Sequence, residues 1–247
     1  MSTVLSIARN ETRRIFVSPL AWTMLGVFQF IVAMAFVKSL DTYAMNAEMG
    51  DRVTGVSDYL TMNVYGFASV IGLFVIPLLT MRTFAEERKS QSLTLLLSAP
   101  VSLIEIVLGK FFAVLVFVLA AAALLAVQAS VLMFGTHLDL GKVAAGLLGF
   151  VLMLGAFGAS GLFASTLTRE PTIAALLGFA IALVVWISSM FQSSPGWLGQ
   201  LVGYLSLITH YDSLSRGVFN SADVVYYLLF TVFFLWLAVL RLDIERS

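Results

Sequence analysis

Six apolar runs separated by short charged gaps constrain this chain more than any other feature of its sequence. A helix that crosses the roughly 30 Å hydrocarbon core of a bilayer takes about 20 consecutive, mainly apolar residues. Cutting the sequence at its charge-bearing gaps predicts spans at 20–37, 62–81, 103–134, 143–167, 172–191 and 224–240. The third and fourth are long enough to tilt or protrude. The chain is 60% hydrophobic and 11% charged, where soluble domains average roughly 45 to 50% and 25%. Its excess apolar surface therefore requires lipid as solvent. The expectation is an all-α integral membrane protein with one membrane domain over 1–247. The first run follows Arg9, Arg13 and Arg14 as a signal peptide would, but its 18 residues exceed a usual h-region, so it reads as an uncleaved anchor.

Orientation follows from Lys and Arg, which favour cytoplasmic loops. With the N-terminus inside, ten basic residues are cytoplasmic and four are outside, while the acidic residues divide seven and seven. Both termini are predicted to be cytoplasmic. Zero net charge gives no indication of nucleic acid, and two His with no Cys leave few ligands for a metal.

Three segments stand apart from the spans. Residues 1–18 interleave Val4, Leu5, Ile7 and Phe16 with Arg9, Arg13 and Arg14, the pattern of an interfacial helix whose arginines meet lipid phosphates. A basic flank that only sets topology is the plainer reading. The loop 82–102 is longer than a hairpin requires and keeps Leu93, Leu95, Leu96 and Leu97 beside Arg82, Glu86, Glu87, Arg88 and Lys89, with Pro100 as a helix stop. An amphipathic element in a cytoplasmic loop points to a docking partner, against the alternative of a solvated charge run. Residues 192–223 carry Pro195, Gly196, Gly199, Gly203 and Gly217 and are too interrupted to span, so short re-entrant or interfacial helices are expected.

Within the six spans no ionisable residue occupies the central part, which argues against carriers coupled to protons or sodium. No G-x-x-x-x-G-K-[ST] phosphate loop is present either, since Gly109-Lys110 and Gly141-Lys142 lack the other required residues. ATP is not expected to bind this chain, and the chain is not expected to be an enzyme. Gly155, Ala156, Gly158, Ser160, Gly161 and Ala164 form a small-residue path in the fourth span, read first as internal packing and second as subunit pairing. Gln29 and Gln128 are polar groups within spans that can link helices or line a path, the structural role being preferred. Two H-x-D sequences, at His137 and His210, supply metal-ligand types if their loops converge, but the preferred reading is polar loops and no metal. In that reading His210 and Asp212 hold the re-entrant segment by hydrogen bonds, Arg216 pairs with Asp212 or headgroups, and Gly217 supplies a turn.

Phe84, Glu87, Arg88, Leu95, Leu96, Pro100, Gly109 and Lys110 together resemble the loop consensus of ABC-2 type permeases, closest to the gliding-motility-associated branch. The resemblance continues in GLFASTLT at 161–168 and HYDSLSRGVFNSADVVYYL at 210–228. It implies a bacterial inner-membrane permease whose N-terminal interfacial helix and first cytoplasmic loop contact a nucleotide-binding subunit. It also implies two ATPase copies holding ATP and Mg, a second permease copy or paralogue, and short re-entrant helices before the last span. An accessory protein with a periplasmic domain is a further expected partner, beside membrane lipids. Arg82, Phe84, Glu86, Glu87, Arg88, Leu95, Leu96 and Pro100 are the expected coupling residues; Arg9, Arg13 and Arg14 mark the interfacial helix, and His210, Asp212, Arg216 and Gly217 the outer region. The leading function is ATP-driven export or displacement of an unknown substrate. The alternative is a membrane scaffold that transmits ATPase-driven force without moving solute.

Overall fold

In lipid every backbone N–H and C=O must find an internal partner, so apolar runs of this length fold as helices. The computed structural model describes residues 2–48, 55–93, 101–133, 138–191 and 203–246, and among them the only regular structure is helical. Helix α1 (Ser2–Val17) ends at Ser18, whose hydroxyl accepts from the Leu20 N–H as Pro19 opens α2 (Pro19–Glu48). Pro at a first helical position removes a donor that would be unsatisfied anyway. Helix α2 continues well past residue 37, because Lys38 and Asp41 end the apolar run without ending the helix. Tyr43 meets Tyr59 edge-on at 5.6 Å and anchors that extension.

The second span begins earlier than its apolar run, at α3 (Val56–Tyr59), and passes through a π-helical turn (Leu60–Tyr65) into α4 (Gly66–Thr80). Its polar side chains do not break it because they bond back to the helix: Thr61 Oγ1 donates to the Ser57 carbonyl and Asn63 Nδ2 to the Tyr59 carbonyl. A short α5 (Ala85–Lys89) follows. The third span, α6 (Leu103–Leu132), starts with a capping box in which Ser102 Oγ accepts from the Glu105 N–H while Glu105 accepts from the Ser102 N–H. Asp139 caps α7 (Leu140–Leu167) by accepting from the Gly141 and Lys142 N–H groups. Pro171 opens α8 (Pro171–Ile187), and a 3-10 turn (Ser188–Phe191) extends it. The short α9 (Leu207–Ser215) precedes the last span, α10 (Ser221–Arg246). Among the described residues six helices are long and apolar enough to cross a membrane.

Helix α7 is the hub of the bundle. Of its most apolar stretch 72% is buried, against 22% in α2 and in α10. Small residues make this possible: a Cβ on Gly161 would lie 2.2 Å from Thr80 Oγ1 in α4, and one on Gly178 of α8 would lie 3.3 Å from the Gly161 Cα. Ala156, Ser160 and Ala164 are fully buried, so this path packs the protein's own helices. Helices α2 and α10 instead present Phe30, Met34, Leu229, Val232 and Trp236 outward, as lipid-facing helices do. Gln29 and Gln128 do not link helices; Gln29 Oε1 and both polar atoms of the Gln128 side chain are buried without a partner among the described residues.

Candidate functional site

On the side of the termini, α1 crosses α6 where Gly109 has no side chain; a Cβ there would sit 2.6 Å from Ile7 Cγ2. That close approach brings Glu11 of α1 to Lys110 of α6. Lys110 is 1% exposed, and its ammonium group is 2.8 Å from Glu11 Oε1, 2.6 Å from Glu87 Oε1 and 3.1 Å from the Thr83 carbonyl. It also lies 5.1 Å from the centre of the buried Phe84 ring. All three of its protons therefore have acceptors, from α1 and from the loop after α4. Arg14 closes the cluster from the surface, 3.4 Å from both Glu86 and Glu87.

The same loop is tied to two further elements. Arg88 donates to Glu245 near the end of α10 at 2.6 Å, and Lys89 to Glu170 in the turn between α7 and α8 at 3.0 Å. Phe84 and Leu93 reach inward to a satellite core with Leu103, Ile106, Leu235 and Leu242. Residues 82–93 thus form a short bracket fastened to α1, α6, α10 and the α7–α8 turn. Beside it, a cavity of about 210 Å³ is bounded by α1, the start of α2, the end of α4 and α6. Arg82 lines this cavity, is exposed, and has no ion pair among the described residues.

Of the residues expected to mediate coupling, Phe84, Glu86, Glu87 and Arg88 are brought together here, while Leu95, Leu96 and Pro100 lie outside the described residues. One expectation changes. Glu87 and Arg88 are not surface charges free for a partner: their side chains are 13% and 8% exposed, and both are committed to ion pairs within the chain. Replacing both with Ala therefore leaves Lys110 with Glu11 as its one carboxylate and Glu245 with only the distant Arg241, and destabilises the fold. Arg14 joins the cluster, whereas Arg9 and Arg13 project away without ion pairs among the described residues. Sequence reasoning missed Glu11, Lys110 and Glu245 as partners. The available signal was Lys110 itself, a cation between IEIVLG and FFAVLVF that must find carboxylates at such depth.

On the opposite, distal side, α9 buries Leu207, His210, Tyr211 and Leu214, one helical face. A Cβ on Gly149 of α7 would lie 3.1 Å from Leu214 Cβ, so α9 reaches alongside the tenth residue of α7, about 14 Å from its start. His210 pairs with Asp223 at the start of α10 (Nδ1 to Oδ1, 2.6 Å) and not with Asp212; its Nε2 is 3.0 Å from the Tyr204 carbonyl. Both ring nitrogens thus face acceptors. Tyr226 stacks on the ring at 4.1 Å. Asp212 pairs instead with exposed Arg216 at 2.9 Å. Gly217 adopts φ +78°, and a Cβ there would lie 2.5 Å from Lys142 Cγ, whose ammonium group is 2.6 Å from Asp58. The histidine of the other H-x-D sequence, His137, lies outside the described residues, and among those described no three His, Asp or Glu side chains gather as a metal site.

A family model described as ABC-2 family transporter protein matches residues 5–243. No curated protein matches the chain.

Proposed function

The chain belongs to the ABC-2 transporter family, and from that premise we propose that it is the permease of an ATP-driven exporter in which the bracket at 82–93 receives the stroke of the ATPase. As a permease component of an ABC transporter it works with an ABC ATPase. In the proposed assembly two ATPase copies, carrying ATP and Mg, serve this chain and a second copy or paralogue in a bacterial inner membrane, with the terminal side cytoplasmic. The gliding-motility-associated branch is the proposed position within the family. The observation that carries the coupling role is connectivity. A push on the bracket is delivered at once to α1 and α6 through Lys110, to α10 through Arg88 and to the α7–α8 turn through Lys89. The Lys110 and Arg88 contacts are largely shielded from water and resist displacement, so α1, α6 and α10 move with the loop, while the exposed Lys89–Glu170 pair ties the α7–α8 turn more weakly.

Arg82 and Glu86, exposed or half-exposed at the rim of the cavity, are the side chains the ATPase meets, while Glu87 and Lys110 form the rigid base beneath. The chain has no cysteine, which makes single introduced cysteines clean reporters. Cysteines at exposed Ser90 and Arg216 test the orientation with an impermeant reagent applied outside intact cells; labelling at position 90 overturns it. Arg82→Ala with Glu86→Ala is expected to lower ATPase co-purification at normal membrane abundance. Full retention and full function in that variant contradict a docking role for the bracket. Export predicts ATPase turnover stimulated by a solute, whereas stimulation only by an accessory protein with a periplasmic domain favours the force-transmitting scaffold.

A further inference from the structure

Helix α1 has two charged faces with different fates. Arg14 faces three carboxylates, whereas Arg9 and Arg13, one turn apart, have no ion pair among the described residues. Both line an open groove of about 1180 Å³ between α1 and α6. The opposite wall is Phe112, Leu115, Val116 and Leu119, a stripe of α6 about 10 Å long at i, i+3, i+4 and i+7 spacing. Phe112, Val116 and Leu119 are 41%, 41% and 50% exposed on a helix apolar enough to span a membrane. Among the described residues no Asp or Glu lines the groove.

We propose that this groove is a binding site for one anionic phospholipid, with its phosphate held by Arg9 and Arg13 and an acyl chain lying along Phe112, Leu115, Val116 and Leu119. The occupant follows from charge and depth together. Two guanidinium groups without carboxylate partners select a phosphate or similar anion, which guanidinium can bind bidentately. The adjoining wall lies well inside a membrane helix, where a soluble partner would leave polar backbone in hydrocarbon. A molecule with an anionic head directly joined to a long apolar tail matches both halves, and the leaflet on the side of the termini supplies it. The site is separate from the Lys110 cluster and does not depend on the coupling role of the bracket.

The test uses the whole chain in nanodiscs of phosphatidylcholine with increasing phosphatidylglycerol, measuring retained lipid by native mass spectrometry after release into detergent. Wild type is expected to retain phosphatidylglycerol in preference to phosphatidylcholine, and Arg9→Gln with Arg13→Gln to weaken that preference roughly thirtyfold, since each basic residue near an anionic surface contributes about a fivefold factor. Val116→Trp, which fills the groove and leaves both arginines, is expected to reduce retention of phosphatidylglycerol as well. Arg216→Gln on the distal side is the control and should retain the wild-type preference. Equal retention of the two lipids by wild type overturns the proposal, as does unchanged preference in the double arginine variant. Loss of ATPase co-purification in that variant with lipid retention intact assigns the two arginines to the protein partner and also overturns it.

Discussion

The two ends of the bundle secure short elements against the same hub helix by different chemistry. On the terminal side, one buried cation collects carboxylates from two elements, and neighbouring pairs extend the network to α10 and the α7–α8 turn. On the distal side, His210–Asp223 joins α9 only to α10, with aromatic rings filling the space around it, and Lys142–Asp58 joins α7 to α3. A branched network moves several helices together, whereas a pairwise latch fixes one neighbour. The difference is consistent with the coupling role proposed for the terminal end.

The largest expected effect is at the branch point. Lys110→Met removes the buried cation that Glu11 and Glu87 share, leaves them only the more distant and half-exposed Arg14, and should destabilise the protein by about 3 kcal/mol, read as a lower thermal midpoint and lower membrane abundance. Adding Glu11→Gln and Glu87→Gln should restore most of the stability, because removing a whole buried ionic group is often nearly neutral. Coupling should stay lost in that triple variant, since the ties between α1, the bracket and α6 are gone. Recovered ATPase coupling would show that the network only stabilises, and the contrast between the two ends would collapse.

His210→Ala comes next, at about 2 to 3 kcal/mol, because Asp223 and the Tyr204 carbonyl lose their partner together. Its effect should be confined to the distal side, seen as faster proteolysis or cysteine labelling around α9 with ATPase retention unchanged. A loss of ATPase retention equal to that of Lys110→Met would break the comparison. Gly217→Ala should cost about 1 to 2 kcal/mol, since it combines a left-handed backbone with a methyl group driven against Lys142. A thermal midpoint equal to that of wild type would remove this turn from the latch. The smallest effect belongs to Arg216→Ala, an exposed i, i+4 pair with Asp212, expected within about 0.5 kcal/mol by the same measurement.

Much of the architecture was legible because its cause is local. An apolar run of a given length is a membrane helix whatever it packs against, so the six spans could be counted from the sequence and only their ends shifted. Those ends moved where polar groups satisfied themselves within the helix, as Thr61 and Asn63 do, or where charge ended the apolar run but not the helix, as after Lys38. Small residues in α7 likewise announced close packing. The capping box at Ser102 and Glu105 rests on the same short-range rules.

Which charge meets which did not follow, because it depends on groups far apart in the chain. Glu11 and Lys110 are 99 residues apart and Arg88 and Glu245 are 157 apart. Nothing in the local pattern distinguishes Glu87, buried beneath Arg14, from Glu86 beside it at the surface. His210 could be matched from sequence to nearby Asp212, yet the helical turn points Asp212 to Arg216 and delivers Asp223 from the next helix. Hydrophobicity and length determined the six helices, among the described residues, that are able to cross a membrane. Only tertiary packing decided where its few charges are buried, since a charge inside a bundle is held by whichever opposite charge the neighbouring helix brings within hydrogen-bond reach.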